Sequence, residues 1–196
     1  MNETIEYYNK NAESFIAGTI NADMSDCRNR FLKYVKKGGS ILDAGCGSGR
    51  DSLAFKDVGY KVAAFDASEE ICKSASERLG FKVDCKRFED LEGENMYDGI
   101  WASASLLHVK EADLKDVMSR LKRLLKAGGI LYASFKEGNS ERIKDGRFFH
   151  DMTEEKCKEL FKNVGIEIQE IYTSQDVRDD RVGEMWVNVV GKIKNK

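Results

Sequence analysis

A short apolar segment that runs directly into a glycine-rich turn constrains the fold of this chain more than any other feature. Residues 40–44, Ser-Ile-Leu-Asp-Ala, precede the sequence Gly45-Cys46-Gly47-Ser48-Gly49. The apolar segment predicts a strand buried on both faces, and the glycines predict a tight turn because they tolerate left-handed backbone. A helix should follow from about Arg50 to Val58 and end at Gly59. Strand, turn and helix in this order are typical of α/β proteins.

The same unit then recurs along the chain. A strand over 61–65 ends at acidic Asp66, and a helix over 68–79 begins at Ser68, a residue type favoured at helix N-caps. Further strands are predicted over 81–85, 98–102 and 129–135, with an amphipathic helix over 110–125. Alternating strands and helices imply right-handed crossovers, so the sheet should be mostly parallel with helices on both faces.

The two ends of the chain depart from this alternation. Residues 4–35 carry apolar positions at helical spacing, with a break near Gly18. After a charged loop over 137–152 and a helix over 153–163, two strands, 166–173 and 185–193, are joined by a connection too short for a parallel crossover. We therefore predict an α/β fold with a doubly wound, seven-stranded, mostly parallel sheet, an antiparallel C-terminal hairpin at or near the sheet edge and N-terminal helices. One domain over 1–196 is expected, with a helical lid over 1–37 and a core over 38–196.

Composition excludes several classes of protein. The 196 residues include 32 basic and 34 acidic side chains, which gives a net charge of −2 and no overall attraction to nucleic acid. The polar, acidic start of the chain lacks the features of a signal peptide, and no apolar run is long enough to cross a membrane. Five widely spaced cysteines without a C-x-x-C pair argue against a disulfide framework or a metal site. We expect a cytoplasmic protein.

The glycine turn and Asp66 together predict a nucleotide site. Glycines let the backbone approach a ligand closely, and an acidic residue about 20 positions further on can accept hydrogen bonds from ribose hydroxyls. The dinucleotide pattern G-x-G-x-x-G would place its third glycine at Arg50 or at Ser52, depending on the starting glycine. A nicotinamide-dependent oxidoreductase is therefore disfavoured.

The segment from Ile41 to Gly49 resembles the first motif of the class I S-adenosylmethionine-dependent methyltransferases, two hydrophobic residues followed by D-x-G-C-G-x-G. The order of the predicted elements resembles this family over most of the chain. The resemblance implies a Rossmann-like fold, S-adenosyl-L-methionine as cofactor and methyl transfer as activity. The chain has no proline, which excludes the family members with an Asn- or Asp-Pro-Pro-aromatic motif or a Pro-Cys nucleophile.

The resemblance also implies a set of cofactor contacts. Gly45 and Gly47 would pass the methionine part, Asp66 would bind the ribose, and Ala67 and Phe88 would lie beside the adenine. Arg87 stands where the family often has an aspartate. The implied cofactor-binding residues are Tyr8, Asp43, Gly45, Cys46, Gly47, Gly49, Asp66, Ala67, Arg87, Phe88, Ala102 and Ser103.

Residues for the methyl acceptor are harder to assign. His150, in the predicted loop after the fifth strand, is a candidate general base, whereas His108 is interpreted as a packing or capping residue. Tyr7, His150, Arg178 and Trp186 are candidate acceptor-binding residues, and Tyr8 could close over the cofactor as part of the lid. No metal is expected.

Three functions remain open at this point. The first is methyl transfer to oxygen or nitrogen of a small molecule, as in the tellurite-resistance and ubiquinone-biosynthesis methyltransferases that this chain resembles in size. The second is methylation of RNA or tRNA, against which the balanced charge argues. The third is a non-catalytic S-adenosylmethionine-binding protein. Either a monomer or a homodimer is compatible with the sequence.

Overall fold

The computed structural model describes residues 2–194 and shows a central seven-stranded sheet. Its strands lie in the order β3-β2-β1-β4-β5-β9-β8. A separate two-stranded hairpin is formed by β6 and β7. The strands are β1 (Ser40–Ala44), β2 (Lys61–Asp66), β3 (Asp84–Cys85), β4 (Tyr97–Ala102), β5 (Leu125–Lys136), β6 (Glu141–Lys144), β7 (Arg147–His150), β8 (Glu167–Gln175) and β9 (Met185–Lys192).

The pairing of the strands confirms the predicted fold class. Strands β1 to β5 pair in parallel, with Leu42 of β1 opposite Ala63 on one side and Ile100 on the other. Strand β9 is antiparallel to β5 and also to β8. The C-terminal hairpin therefore adds to the sheet through its second strand, and β8 forms the edge.

Helices cover both faces of the sheet. Successive side chains of a strand point to opposite faces, and since both sets are apolar here, both faces need a covering layer. Ile100 packs in the cluster that contains Phe161 of α7, whereas its neighbour Trp101 packs with Phe31 of α3 and Phe55 of α4. The described helices are α1 (Asn2–Lys10), α2 (Ala12–Thr19), α3 (Ser25–Leu32), α4 (Arg50–Asp57), α5 (Glu69–Leu79), α6 (Glu111–Leu124) and α7 (Glu154–Asn163). Ser68 is the N-cap of α5 as predicted, and Thr153 caps α7 in the same way, since both side chains accept hydrogen bonds from the first turns of their helices.

The loop predicted over 137–152 is wrong in its middle part, where the structure has the β6–β7 hairpin. Residues Asp145 and Gly146 connect the two strands with positive φ angles of 52° and 75°. An Asp-Gly turn of this kind matches the twist of the flanking strands and is a strong hairpin signal. The third strand is also shorter than predicted, since only Asp84 and Cys85 pair with β2.

Within residues 2–194, no helix combines the length and apolar composition that crossing a membrane requires.

Candidate active site

A cavity of about 260 Å³ lies at the carboxyl ends of the parallel strands. Residues that follow β1, β2 and β4 form its floor, and α1, α2 and the β6–β7 hairpin contribute its other walls. In the strand order of this sheet, the chain changes direction between β1 and β4. Ligands of open α/β sheets bind at such a switch point.

The glycine turn after β1 brings bare backbone to the cavity. Gly45 has a φ of 77°, and a Cβ at this position would lie 2.5 Å from the Cβ of Ser105. The Ser105 hydroxyl in turn donates a hydrogen bond to the carbonyl of Ala44 at 2.6 Å. Gly47, with a φ of 53°, donates its N–H to Asp66 Oδ2 at 3.0 Å. Residues with side chains would be strained here, so the local backbone requires these glycines.

Asp66 ends β2 with its carboxylate held in the cavity wall. Besides the Gly47 contact, its Oδ1 accepts the backbone N–H of Ser68 at 3.1 Å. Burial raises the pKa of this carboxyl, and the backbone N–H groups of Ser68, Gly47 and Ala67 oppose that change. Beside it, Ala67 and Phe88 also line the cavity, and the ring of Phe88 packs edge-on against Phe65 at 5.3 Å. A carboxylate next to a flat apolar surface fits a ribose and its attached base.

Asp43 forms the second carboxyl of the cavity. Asp43 is only 2% exposed, and its Oδ2 accepts a hydrogen bond from the Ser52 hydroxyl at 2.6 Å. Burial, reinforced by the negative charge of nearby Asp51, raises its pKa to about 7. A positively charged ligand group would favour the ionised form of Asp43.

Helix α1 and the β6–β7 hairpin close the cavity together. Thr4 Oγ1 accepts the backbone N–H of Phe148 at 2.9 Å, and the Tyr8 hydroxyl lies 2.9 Å from His108 Nε2. From α2, Phe15 packs edge-on against Tyr8 at 4.9 Å, and its ring approaches the Gly47 turn. Asn9 Oδ1 also accepts the Ser68 hydroxyl at 2.6 Å, which ties α1 to the Asp66 side.

The hydrogen bonds of His108 define its tautomer. Its Nδ1 lies 2.6 Å from the carbonyl oxygen of Phe148, which can only accept, so Nδ1 carries the hydrogen. Its Nε2 then accepts from the Tyr8 hydroxyl. Burial lowers the pKa of His108 to about 4 and raises that of Tyr8 to about 12. At neutral pH both groups are uncharged, and His108 joins α1 to the hairpin.

The structure brings most of the predicted cofactor residues together. All of them line the cavity except Gly49 and Ala102. Gly49 is the N-cap of α4 with a φ of 72°, and Ala102 is fully buried at the end of β4. The residues that line the cavity are Tyr8, Asp43, Gly45, Cys46, Gly47, Asp66, Ala67, Arg87, Phe88 and Ser103.

The predicted acceptor residues divide into two groups. Arg178 and Trp186 line the cavity, and both donate to Asp176, Arg178 through two guanidinium nitrogens. Although burial would raise it, these donors hold the pKa of Asp176 below its usual range. Tyr7 and His150 are not among the lining residues. The structure thus commits Arg178 to an internal ion pair.

His150 lies in the interior at the end of β7. The residue is 1% exposed, and neither ring nitrogen has a hydrogen-bond partner among the described residues. Burial lowers the pKa of its imidazole. His150 is not among the residues that line the cavity, so the structure does not place it where a general base or an acceptor ligand would act.

Several residues that line the cavity were not predicted from the sequence. Thr4, Phe15 and Ser105 contribute to the walls described above, and Arg147 and Phe149 reach the cavity from the hairpin. The Asp-Gly turn at 145–146 was the available signal, since it predicts a hairpin whose alternate residues share a face. Among residues 2–194, no group of acidic, histidine and cysteine side chains could hold a metal ion.

Comparisons with known proteins agree with this geometry. Residues 41–129 match the family model of a methyltransferase domain. The chain is 27% identical to an uncharacterized methyltransferase of Staphylococcus carnosus, covering 99% of this chain and 95% of that protein. It is 29% identical to a ribosomal protein L11 methyltransferase of Aquifex aeolicus over 61% of this chain, and spans only 48% of that relative.

The fold is shared with a solved methyltransferase. The structure of the Burkholderia thailandensis 1,6-didemethyltoxoflavin-N1-methyltransferase, with 1,6-didemethyltoxoflavin and S-adenosylhomocysteine bound, has a TM-score of 0.84 and 19% identity. The alignment covers 99% of this chain and 88% of that one. With the glycine turn, the acidic end of β2 and the antiparallel β9, the match over residues 41–129 identifies a methyltransferase domain, and the whole chain shares the fold of a methyltransferase that binds S-adenosylhomocysteine.

Proposed function

We propose that this enzyme methylates an oxygen or nitrogen atom of a small molecule held in the cavity. The observation that carries the proposal is the cover formed by α1 and the β6–β7 hairpin. Thr4 and Tyr8 on the helix and Phe148 on the hairpin are linked by hydrogen bonds directly or through His108. A cover of this kind favours a small acceptor over a polymer.

The cavity residues fit S-adenosylmethionine. The bare turn at Gly45 leaves room that a Cβ would fill, and we assign the methionine part to this side. Asp66 would accept hydrogen bonds from the ribose, and Ala67 and Phe88 would flank the adenine. Asp43 would face the ammonium group of the cofactor, which accounts for the use of a buried carboxyl with a pKa of about 7.

Bound S-adenosylmethionine supplies a methyl group already activated by its sulfonium charge. The protein then has to orient the acceptor and exclude water. Tyr8 and His108 suit this task, because they form an uncharged pair at the cavity surface. With a pKa of about 4, His108 is a weak base at neutral pH. We therefore propose that orientation by the closed cover contributes more to the rate than proton removal by a strong base.

Calorimetric titration tests the cofactor assignment first. Wild type should bind S-adenosylmethionine and S-adenosylhomocysteine and should not bind NAD, and Asp66→Asn should bind both more weakly. An exposed control, Asp57→Asn on α4, should bind as wild type does. Failure of wild type to bind either compound would refute the cofactor site.

Transfer of a radiolabelled methyl group tests the acceptor class. A cell extract is separated into small metabolites, protein and RNA, and each fraction is incubated with the enzyme and labelled cofactor. We expect label in the small-metabolite fraction. Label in RNA or protein alone would refute the proposal, and cofactor binding with no labelled fraction would support the non-catalytic alternative.

Two further assignments belong to the same proposal. All five cysteines are free, which agrees with a reducing compartment such as the cytoplasm. We propose that one chain forms a complete site, whether the protein is a monomer or a homodimer, because residues of the same chain supply the cavity floor and its cover.

A further inference from the structure

Arg147, on the cover of the cavity, is held in an unusual setting for a charged side chain. Its guanidinium lies over the ring of Tyr7 at 4.6 Å and over that of Phe149 at 5.2 Å. The side chain is only 13% exposed, and its buried Nε has no hydrogen-bond partner among the described residues. Its ion pair with Asp145 is long, at 3.5 Å, and that carboxylate is 61% exposed. Solvent screening makes such a contact weak.

Three other basic side chains that line the cavity have closer anionic partners than Arg147 has. Arg178 has two short contacts with Asp176, and Arg142 has two with Asp151. Lys136 lies between Asp176 and Glu184. Burial of a cation without a close anionic partner costs free energy. An anionic group of a bound ligand would offset this cost at Arg147.

The position of Arg147 identifies the side of the cavity that it serves. Burial raises the pKa of Tyr8 and lowers that of His108; the positive charge of Arg147 opposes the first change and adds to the second, so Arg147 lies beside this pair on the cover. Asp66, the proposed ribose ligand, is the last residue of β2 in the floor of the cavity, while Arg147 and Phe149 come from the hairpin after β5. Arg147 therefore belongs to the half of the cavity left for the acceptor.

We propose that Arg147 binds an oxyanion of the methyl acceptor, so that the substrates of this enzyme are small anionic molecules. The inference rests on the proposed function. A guanidinium presents several N–H donors in a rigid plane that matches a carboxylate. The rings of Tyr7 and Phe149 fix that plane, and Phe149 and Leu107 add apolar lining. A carboxylate attached to a flat apolar body fits this surface.

Benzoate and its neutral analogue benzamide are the probes for this site. Calorimetry is performed on protein saturated with S-adenosylhomocysteine. Benzoate should bind wild type at least tenfold more tightly than benzamide does, and Arg147→Gln should remove most of that difference. Arg147→Lys, which keeps the charge without the planar fork, should be intermediate. Asp145→Asn should bind benzoate more tightly, because it removes the competing carboxylate.

Two controls separate this site from the cofactor site. Arg120→Gln, on the outer face of α6 where Arg120 pairs with Asp116, should match wild type for both probes. Arg147→Gln should keep its affinity for S-adenosylhomocysteine within about twofold, which also shows that it folds. Loss of that affinity would assign Arg147 to the cofactor carboxylate and overturn the inference, as would equal binding of benzoate and benzamide to wild type.

The proposed function can fail separately. Ion exchange divides the metabolite fraction into anionic and non-anionic pools before methyl transfer is measured. Label in the anionic pool supports the inference. Label only in the non-anionic pool overturns it while the proposed function stands, and cofactor binding without label in any small molecule overturns both.

Discussion

Replacing Asp43 by asparagine should flatten the dependence of stability on pH between about pH 5 and pH 7. In the fold, burial raises the pKa of this carboxyl from its ordinary 3.8 to about 7. At pH values between these two, the unfolded chain releases the proton while the folded chain keeps it, so folding becomes less favourable as pH rises. At 1.36 kcal/mol per pKa unit, the full effect amounts to about 4 kcal/mol, of which about 2–3 kcal/mol falls between about pH 5 and pH 7.

Urea unfolding of wild type and Asp43→Asn at a series of pH values measures this effect. Asparagine retains an oxygen that can accept the Ser52 hydroxyl, so packing is little changed. The variant should gain stability relative to wild type as pH rises, by at least about 2 kcal/mol from about pH 5 to pH 7. The exposed control Asp57→Asn should follow the wild-type profile. A constant difference between Asp43→Asn and wild type over this range would show that Asp43 is not held protonated by burial, and the reasoning would fail.

Three other substitutions test the site. Asp66→Asn should weaken S-adenosylhomocysteine binding by about 1.5–3 kcal/mol in calorimetry, because hydrogen bonds to a charged acceptor are lost; unchanged affinity would mean that the ribose lies elsewhere. Gly45→Ala should destabilise the protein by about 1–3 kcal/mol in thermal or urea unfolding, because its Cβ would lie 2.5 Å from that of Ser105, and wild-type stability would contradict the observed turn. His150→Phe should retain methyl transfer within about threefold and should not lose stability, since both imidazole nitrogens are buried without partners; a loss of activity greater than tenfold would restore the histidine as a candidate base.

The core of the fold was predictable because parallel strands covered on both faces must be apolar at nearly every position. Strand β1 shows this directly, since Ile41 packs on one side of the sheet and Leu42 on the other. The hairpin over 141–150 gives no such signal. It is amphipathic at most, and Ile143 on β6 is 67% exposed. Only its turn, at Asp145 and Gly146, is encoded locally.

The cofactor half of the site could also be predicted from the sequence, for a different reason. The turn after β1 needs glycine at positions 45 and 47, and the ribose site needs a carboxylate at the end of β2, which Asp66 supplies. The glycine turn and Asp66 lie only about 20 positions apart, so both are visible in the sequence. The acceptor half is assembled from distant segments. Tyr8 and His108, which are hydrogen-bonded, are 100 positions apart in the sequence, and Thr4 and Phe148 are 144 positions apart. No periodicity relates such pairs. A helical lid with Tyr8 was predicted, but the hairpin half of the cover and the role of His108 in joining it to α1 could not be derived from the sequence.

The contacts that hold the cover suggest how ligands reach the cavity. Among the described residues, four hydrogen bonds of α1 side chains attach this helix to the rest of the fold: Asn9 accepts from the Ser68 hydroxyl and the Glu70 N–H, Thr4 accepts from Phe148, and Tyr8 donates to His108. Each neutral hydrogen bond contributes about 0.5–1.5 kcal/mol, so breaking all four costs about 2–6 kcal/mol. This cost lies near the lower end of the roughly 5–15 kcal/mol that stabilises a whole domain. Displacement of α1 can therefore open the cavity while the sheet stays folded. Because Tyr7 on α1 also packs on Arg147, the same motion would release the guanidinium, and access of the cofactor and access of the acceptor would be linked.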